Sequence, residues 1–379
     1  MSPTNSQHSD AGAIKALAIE AAIQRGAAEV RVVSAFADSA SRERLRESFA
    51  RGDLATWNYD DDYARAASDP QTLLPQARSV ICIAVPYATR QARSKRLRGR
   101  VSNYAWSLDY HQRLRTLLAE VAAIVDAAAG EPVTAIACDT KPIAERAYAA
   151  RAGLGWVGKH TNLISPALGS FIFLGEVVTT LDLPVDQPLR KSCGSCVRCV
   201  DACPTGALRG DYTIDAKKCI ADLTQRTDPI PRELRPSLGD WIWGCDLCQL
   251  VCPPTRMAGD TGGSSFEPRD LYVQSPDLIA LLQLRSGEFK RRFAPTAMGW
   301  RGAAVLRRNA AIALGNALDR SAVGALATAL REDPHPMVRG AAAWALGRIG
   351  SPRALEALET CALTEKESAV REEIALTLS

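Results

Sequence analysis

Long apolar runs are missing from this 379-residue chain. None approaches the ~18 residues that a bilayer-spanning helix requires, which excludes a helical membrane protein. An excess of one charge is also missing: 46 Lys and Arg stand against 42 Asp and Glu, a formal net charge of +4. A uniformly basic nucleic-acid coat is therefore not expected, and any such contact must come from local clusters. The polar stretch from Met1 to Gly12 lacks a basic segment followed by an apolar core. It does not read as an export signal, so a cytoplasmic location is expected. With 47% hydrophobic and 23% charged residues, the composition is that of a folded chain. Its length suits two or three domains.

What is abundant is cysteine, and it is concentrated. Eight of the eleven cysteines lie between Cys193 and Cys252. In a chain expected to stay in a reducing compartment, that density points to metal or cofactor ligation and not to disulfides. Cys82, Cys138 and Cys361 sit among apolar neighbours and read as small buried hydrophobes.

The first half alternates helix and strand signals. Residues 13–35 read as a helix and then a strand, and Ser79 to Pro86 as a fully buried strand. Tyr110 to Ala129 has helical apolar spacing and stops at Gly130. Val133 to Cys138 is a short strand, followed by a helix through Ala152, and Phe171 to Thr180 is a further strand. This pattern predicts an α/β core over roughly residues 13–185. The C-terminus repeats at 32 residues: Arg307, Arg339 and Arg371 align, as do Ile312, Trp344 and Leu376, and Leu314, Leu346 and Leu378. Helix pairs turning near Gly-Ser-Pro or Asp-Pro predict a short helical solenoid similar to HEAT repeats.

Two basic stretches stand out. One holds Arg90, Arg93, Lys95, Arg96, Arg98 and Arg100; the other holds Lys290, Arg291 and Arg292, with Arg301, Arg307 and Arg308 beyond. Either is a solvated face or a contact for a phosphate backbone.

Cys193, Cys196, Cys199 and Cys203 before Pro204 spell C-x2-C-x2-C-x3-C-P, a bacterial ferredoxin run whose fourth cysteine serves the other cluster in two-cluster proteins. Cys245, Cys248 and Cys252 before Pro253 form a second set, with Cys219 displaced upstream. Crosswise pairing gives one cluster on Cys193, Cys196, Cys199 and Cys252, and another on Cys203, Cys219, Cys245 and Cys248. Two zinc sites are the alternative, since C-x2-C pairs also bind zinc. The two Cys-Pro endings favour [4Fe–4S].

Several segments resemble epoxyqueuosine reductases. They are Asp109-Tyr110-His111, Cys138 to Arg146 (CDTKPIAER), Ala152 to Ile164 (AGLGWVGKHTNLI), Gly169-Ser170 and Gly244 to Pro253 (GCDLCQLVCP). The resemblance runs from about residue 13 to the C-terminal repeats. It implies a reductive-dehalogenase-like cobalamin-binding core over 1–185, a ferredoxin-like domain with two [4Fe–4S] clusters over 186–260, and HEAT-like repeats over 261–379, an α+β/α/β chain with a helical tail. It implies an oxidoreductase that removes the epoxide oxygen of epoxyqueuosine at the wobble position of tRNA, the last step of queuosine biosynthesis. Cobalamin would be the cofactor and an external low-potential donor the electron source. The tRNA would carry a GUN anticodon of the Asp, Asn, His or Tyr type, and the enzyme would work as a monomer without a membrane. A corrinoid-dependent dehalogenase of a small organohalide is the alternative.

The resemblance also implies site residues. Asp139 would protonate the departing oxygen; a strand-end position with partial burial is expected to raise its pKa. Its structural alternative is a helix cap with Pro142 in the first turn. Trp57, Tyr104, Asp139, Lys159, His160, Asn162, Leu163, Ser170 and Thr224 would contact cobalamin, with no histidine ligand to cobalt. Gly153, Gly155 and Gly158 spell G-x-G-x-x-G, read here as room for a bulky cofactor and not as a dinucleotide site. Arg93, Arg96, Arg98, Arg226, Arg291 and Arg308 are the candidate tRNA contacts.

Overall fold

A computed structural model describes residues 4–55, 57–89, 96–262, 266 and 270–379. The chain divides into two compact units and passes between them several times. The first comprises Met1–Thr89, Tyr110–Lys217 and Leu247–Phe266; the second comprises Arg90–Asp109, Lys218–Asp246 and Glu267–Ser379. This division differs from sequential cuts near residues 185 and 260, because the cysteine-rich stretch contributes to both units.

The first unit is built on helix α1 (Thr4–Gln24), strands β1 (Glu29–Ser34) and β2 (Ser79–Pro86), helix α2 (Tyr110–Ala129), strand β3 (Thr134–Ala137), helix α3 (Glu145–Arg151) and strand β4 (Ile172–Thr179). The four strands pair in the order β1-β2-β4-β3, every pair antiparallel. The helix–strand alternation read from the sequence is present, but the pairing is that of an α+β sheet. β2 is buried along its whole length because it is central and covered on both faces. Leu114, Leu117, Leu118, Val121 and Val125 recur at helical spacing on α2 and are buried. Gly130, at φ +80°, ends that helix in the left-handed conformation.

Successive strand residues face opposite sides, so β4 presents Gly175 to one face and Glu176 to the other. A Cβ at Gly175 would lie 2.9 Å from Leu118 Cδ1, so the glycine makes room for α2. The Glu176 face carries Cys82 and Ala137, its register partners, and is covered by Tyr148 and Ala149 of α3. Cys82, Cys138 and Cys361 are buried, as their apolar settings predict.

The second unit contains the repeats: α4 (Ala303–Ala317), α5 (Val323–Glu332), α6 (Pro336–Ile349), α7 (Pro352–Ala362) and α8 (Ser368–Leu378). The Gly-Ser-Pro signal divides its labour by residue. Gly350 takes a left-handed C-cap, the Ser351 side chain accepts the Ala354 N–H, and Pro352 opens α7. The 32-residue period extends to the ion pairs. Arg307 Nε meets Asp333 at 2.7 Å, and Arg339 Nε meets Glu365 at 2.7 Å. Gly315 and Gly347 occupy equivalent positions where a Cβ would strike the next helix, at Ala345 and Thr377. No helix among the described residues is long and apolar enough to cross a membrane.

Candidate active site

β3 runs out at Ala137, and a tight turn places Asp139 beyond it in the left-handed region, at φ +49°. Two residues from the start of α2 converge on its carboxylate. His111 Nε2 lies 2.8 Å from Asp139 Oδ2, and the Tyr110 hydroxyl donates to the same oxygen at 3.1 Å. Tyr110 is held by stacking on Phe173 of β4, with ring centroids 4.2 Å apart. The Asp139 N–H donates to Glu145 Oε1 at 2.5 Å. The side chain is 55% exposed, and it does not cap α3, whose N-cap is Ala144.

The hydrogen bond from His111 holds the Asp139 carboxyl below the ordinary carboxylate range, against a smaller opposing effect of burial. The expectation of a raised pKa is therefore overturned. Asp139 is an anion at neutral pH, and the acidic hydrogens around it belong to His111 and Tyr110. Glu145 behaves in the opposite way. Burial pushes its carboxyl up to about 7, and the Asp139 charge adds to the shift.

Cysteine thiols in this unit are shifted by their surroundings. Burial raises the Cys199 thiol, with Cys193 and Cys252 adding to it; burial raises the Cys252 thiol too, with Cys193 and Cys196 adding to it. Cys193, Cys196, Cys199 and Cys252 all belong to this unit, but among the described residues no three Cys, His, Asp or Glu side chains are placed together as a ready metal site, so their grouping rests on the sequence spacing. Cys252 is the N-cap of a short helix opened by Pro253, which accounts for that Cys-Pro ending. Cys203 and Cys248 lie in the same unit, and Cys219 and Cys245 in the second.

The remaining candidates divide by environment. Trp57 is 46% exposed and stacks on Tyr59 at an interplanar angle of 9°. Lys159 donates to the Gly194 carbonyl at 3.0 Å, tying its loop to the one that carries Cys193 and Cys196. His160 is buried, and burial drops its pKa to about 4. Its Nδ1 accepts the Asn162 N–H, so Nε2 carries the proton, and that atom is buried without a hydrogen-bond partner. Leu163 is buried; the Ser170 hydroxyl donates to Gln249 Oε1 at 2.9 Å. Tyr104 and Thr224 belong to the second unit, where Tyr104 accepts the Trp243 indole N–H and Thr224 accepts the Gly244 N–H.

The glycine motif has a different purpose from the one expected. A Cβ would lie 2.3 Å from the Gln187 carbonyl oxygen at Gly153, 2.2 Å from that of Ile164 at Gly155, and 2.5 Å from Ile164 Cδ1 at Gly158. The space these glycines leave is filled by the chain itself, around the small hairpin of Trp156–Val157 and Leu163–Ile164.

Among the candidate tRNA contacts, Arg93 lies outside the described residues. Arg96 is 83% exposed and pairs with Asp319. Arg98 lies over the Tyr272 ring, and Arg291 is exposed. Arg226 and Arg308 require correction. Arg226 is buried against Asp222, and Arg308 is 2% exposed and donates to the carbonyls of Arg226, Asp228 and Leu223. An arginine spent on internal carbonyls has no surface to offer a phosphate. Sequence reading missed Glu145 and Glu176; the one signal was a single charged residue, Glu176, inside the apolar run Phe171 to Thr180.

Residues 68–140 match the family described as "Epoxyqueuosine reductase QueG, DUF1730", residues 192–255 a 4Fe-4S double cluster binding domain, and residues 276–379 HEAT repeats. The epoxyqueuosine reductase of Bacillus anthracis is 36% identical over 346 residues, 89% of this chain and 91% of the relative. That of Bacillus subtilis is 37% identical over 311 residues, 80% of each. A crystal structure of an epoxyqueuosine reductase with a tRNA-Tyr epoxyqueuosine-modified stem loop superposes with a TM-score of 0.91 at 34% identity, covering 97% of this chain and 98% of that one. A Bacillus subtilis structure described with its catalytic aspartate loop swung out of the active site gives 0.90 at 33% identity, with the same coverage. With that identity over most of its length, a double-cluster domain and a shared fold, the chain belongs to the epoxyqueuosine reductase family.

Proposed function

We propose that this protein reduces epoxyqueuosine in tRNA to queuosine, releasing the epoxide oxygen as water. The observation that carries the reading is the convergence of Tyr110 and His111 on Asp139, in the unit to which Cys193, Cys196, Cys199 and Cys252 also belong. Removing an epoxide oxygen to leave an alkene consumes two electrons and two protons, so the site must deliver both. One cluster is assigned to Cys193, Cys196, Cys199 and Cys252, and a second to Cys203, Cys219, Cys245 and Cys248, as the sequence spacing pairs them.

Cobalamin is the proposed partner of the clusters. His160 Nε2, a buried donor without a partner, and the exposed indole of Trp57 suit a large macrocycle edged with amides. Lys159 and Asn162 belong to the same loop and complete the proposed set. Bound there, cobalamin would supply low-valent cobalt as the immediate reductant. The protein's own part is the proton. As a carboxylate, Asp139 orients His111 and Tyr110, and two protons pass through this cluster, drawn from its acidic hydrogens and made good from solvent, to the epoxide oxygen as its two C–O bonds break and it leaves as water. Arg96, Arg98 and Arg291 remain candidate tRNA contacts, with a GUN-anticodon tRNA as substrate.

The test is anaerobic turnover of epoxyqueuosine-containing tRNA with cobalamin and a low-potential one-electron donor, read by nucleoside mass analysis. Loss of one oxygen is expected. An unchanged nucleoside, with clusters and corrinoid verified as loaded, would overturn the assignment.

A further inference from the structure

Asp139 pays a backbone penalty to stand where it does. A non-glycine residue in the left-handed region is strained, and such a conformation persists only when its surroundings hold it. Around this turn Ile143 N–H donates to the Lys141 carbonyl at 2.9 Å, Thr140 Oγ1 to the Cys138 carbonyl at 3.2 Å and Ala144 N–H to the Ala67 carbonyl at 2.7 Å; His111 and Tyr110 hold the Asp139 side chain, and the Glu145 carboxyl holds its N–H. Among the described residues, the last is the contact that grips the strained residue by its own N–H.

A second buried carboxyl lies on the sheet face that α3 covers. Glu176 lies opposite Ala137 in the β3–β4 register, two residues before Asp139. It is fully buried, and neither of its carboxyl oxygens has a hydrogen-bond partner. A carboxyl so enclosed is neutral, because no solvent or partner compensates its charge.

We propose that Glu145 is a positioning residue for the reaction: a latch that holds the strained Asp139 turn so that the carboxylate meets His111 and Tyr110. This rests on the proton-delivery role proposed above for Asp139 with His111 and Tyr110. The groups that act on Glu145 are Asp139 in the turn, Arg146 on its own helix and His111 on α2. Glu145 acts in turn on Glu176 of β4, on Tyr63, and on Cys82 and Cys138. Burial with the Asp139 charge brings its ionisation to about pH 7. Above that pH the latch is a carboxylate accepting a charge-assisted hydrogen bond; below it, a weaker neutral acceptor. The latch therefore tightens as pH rises through neutrality.

The test compares Glu145→Ala, Glu145→Gln and wild type as loaded enzymes, by amide exchange over residues 138–144 and by steady-state turnover. Glu145→Ala is expected to speed exchange in the turn about 10–100-fold, the loss of one charge-assisted hydrogen bond. It should also lower kcat by a comparable factor, with KM for tRNA within about twofold. Glu145→Gln keeps a carbonyl acceptor but cannot ionise, so the extra protection gained between pH 6 and pH 8 should vanish, with kcat near wild type at pH 6, where the wild-type latch is neutral too, and below it at pH 8. A structural role alone would not move that pH dependence. Wild-type exchange and kcat in Glu145→Ala, or an unaltered pH dependence in Glu145→Gln, would overturn the proposal. The exchange arm judges the latch even if wild-type enzyme leaves epoxyqueuosine intact, an outcome that would instead sink the reaction assigned above.

Discussion

Asp139→Asn separates chemistry from stability. The substitution preserves side-chain volume and leaves the Glu145 contact, which uses the backbone N–H. What it removes is the charge that draws the His111 and Tyr110 hydrogens to one oxygen, at 2.8 and 3.1 Å. Because the side chain is 55% exposed, its hydrogen bond with His111 is solvent-screened, and its loss should cost no more than about 1 kcal/mol of stability. The catalytic cost is different in scale, since a positioned proton donor contributes about 10²–10⁴-fold. A fall in kcat of that size, with Tm nearly unchanged and cluster content intact, is the expected result. The pH dependence has a definite sign. The folded pKa of Asp139 lies below its unfolded value, so its stabilising contribution is present above about pH 4 and is lost as pH falls through the folded pKa. The asparagine variant should lose that acid-side dependence. The assay is single-turnover conversion of epoxyqueuosine in tRNA, paired with thermal unfolding from pH 3 to pH 8. Near-wild-type turnover with full cofactor loading would refute the proton-delivery argument.

Gly155→Ala would push a methyl to 2.2 Å from the Ile164 carbonyl oxygen, backbone that cannot swing aside. A loss of about 2–3 kcal/mol is expected by denaturant unfolding, in apo and loaded protein alike, because the conflict lies within the hairpin. His160 is neutral in the fold, with a pKa of about 4, while the unfolded chain protonates near 6.5. Its contribution is therefore complete above pH 6.5 and falls by about 3 kcal/mol as pH drops to 4. His160→Asn should flatten that part of the stability curve in a pH series of melts, and an unchanged slope would show that His160 is not the group responsible.

Local chemistry made much of this protein readable before any coordinates. Thiols two residues apart followed by Cys-Pro name a cluster binder because reach and softness are properties of short segments. The 32-residue columns of Arg, Trp, Leu and Gly name a solenoid because each repeat must bury its neighbour. The same holds for β2, an eight-residue apolar run that could only be central. Pairing and environment lay beyond that reading. Helix–strand alternation does not reveal an antiparallel sheet, since register and direction are set by long-range packing. Arg226 and Arg308 look like phosphate contacts in a list of basic residues, and only folding encloses them. Asp139 looked like a carboxyl raised by burial, yet His111, 28 positions away in the chain, decides its charge. Glycines that seemed to make room for a cofactor make room for the chain. Glu176 carries one letter of warning in the sequence; its enclosure, and the grip of Glu145 on the Asp139 turn, come from the packing of α3 on the sheet. The sequence determines which groups are available, and tertiary structure decides which are charged, paired or reachable, because desolvation and hydrogen bonding depend on neighbours that are distant along the chain.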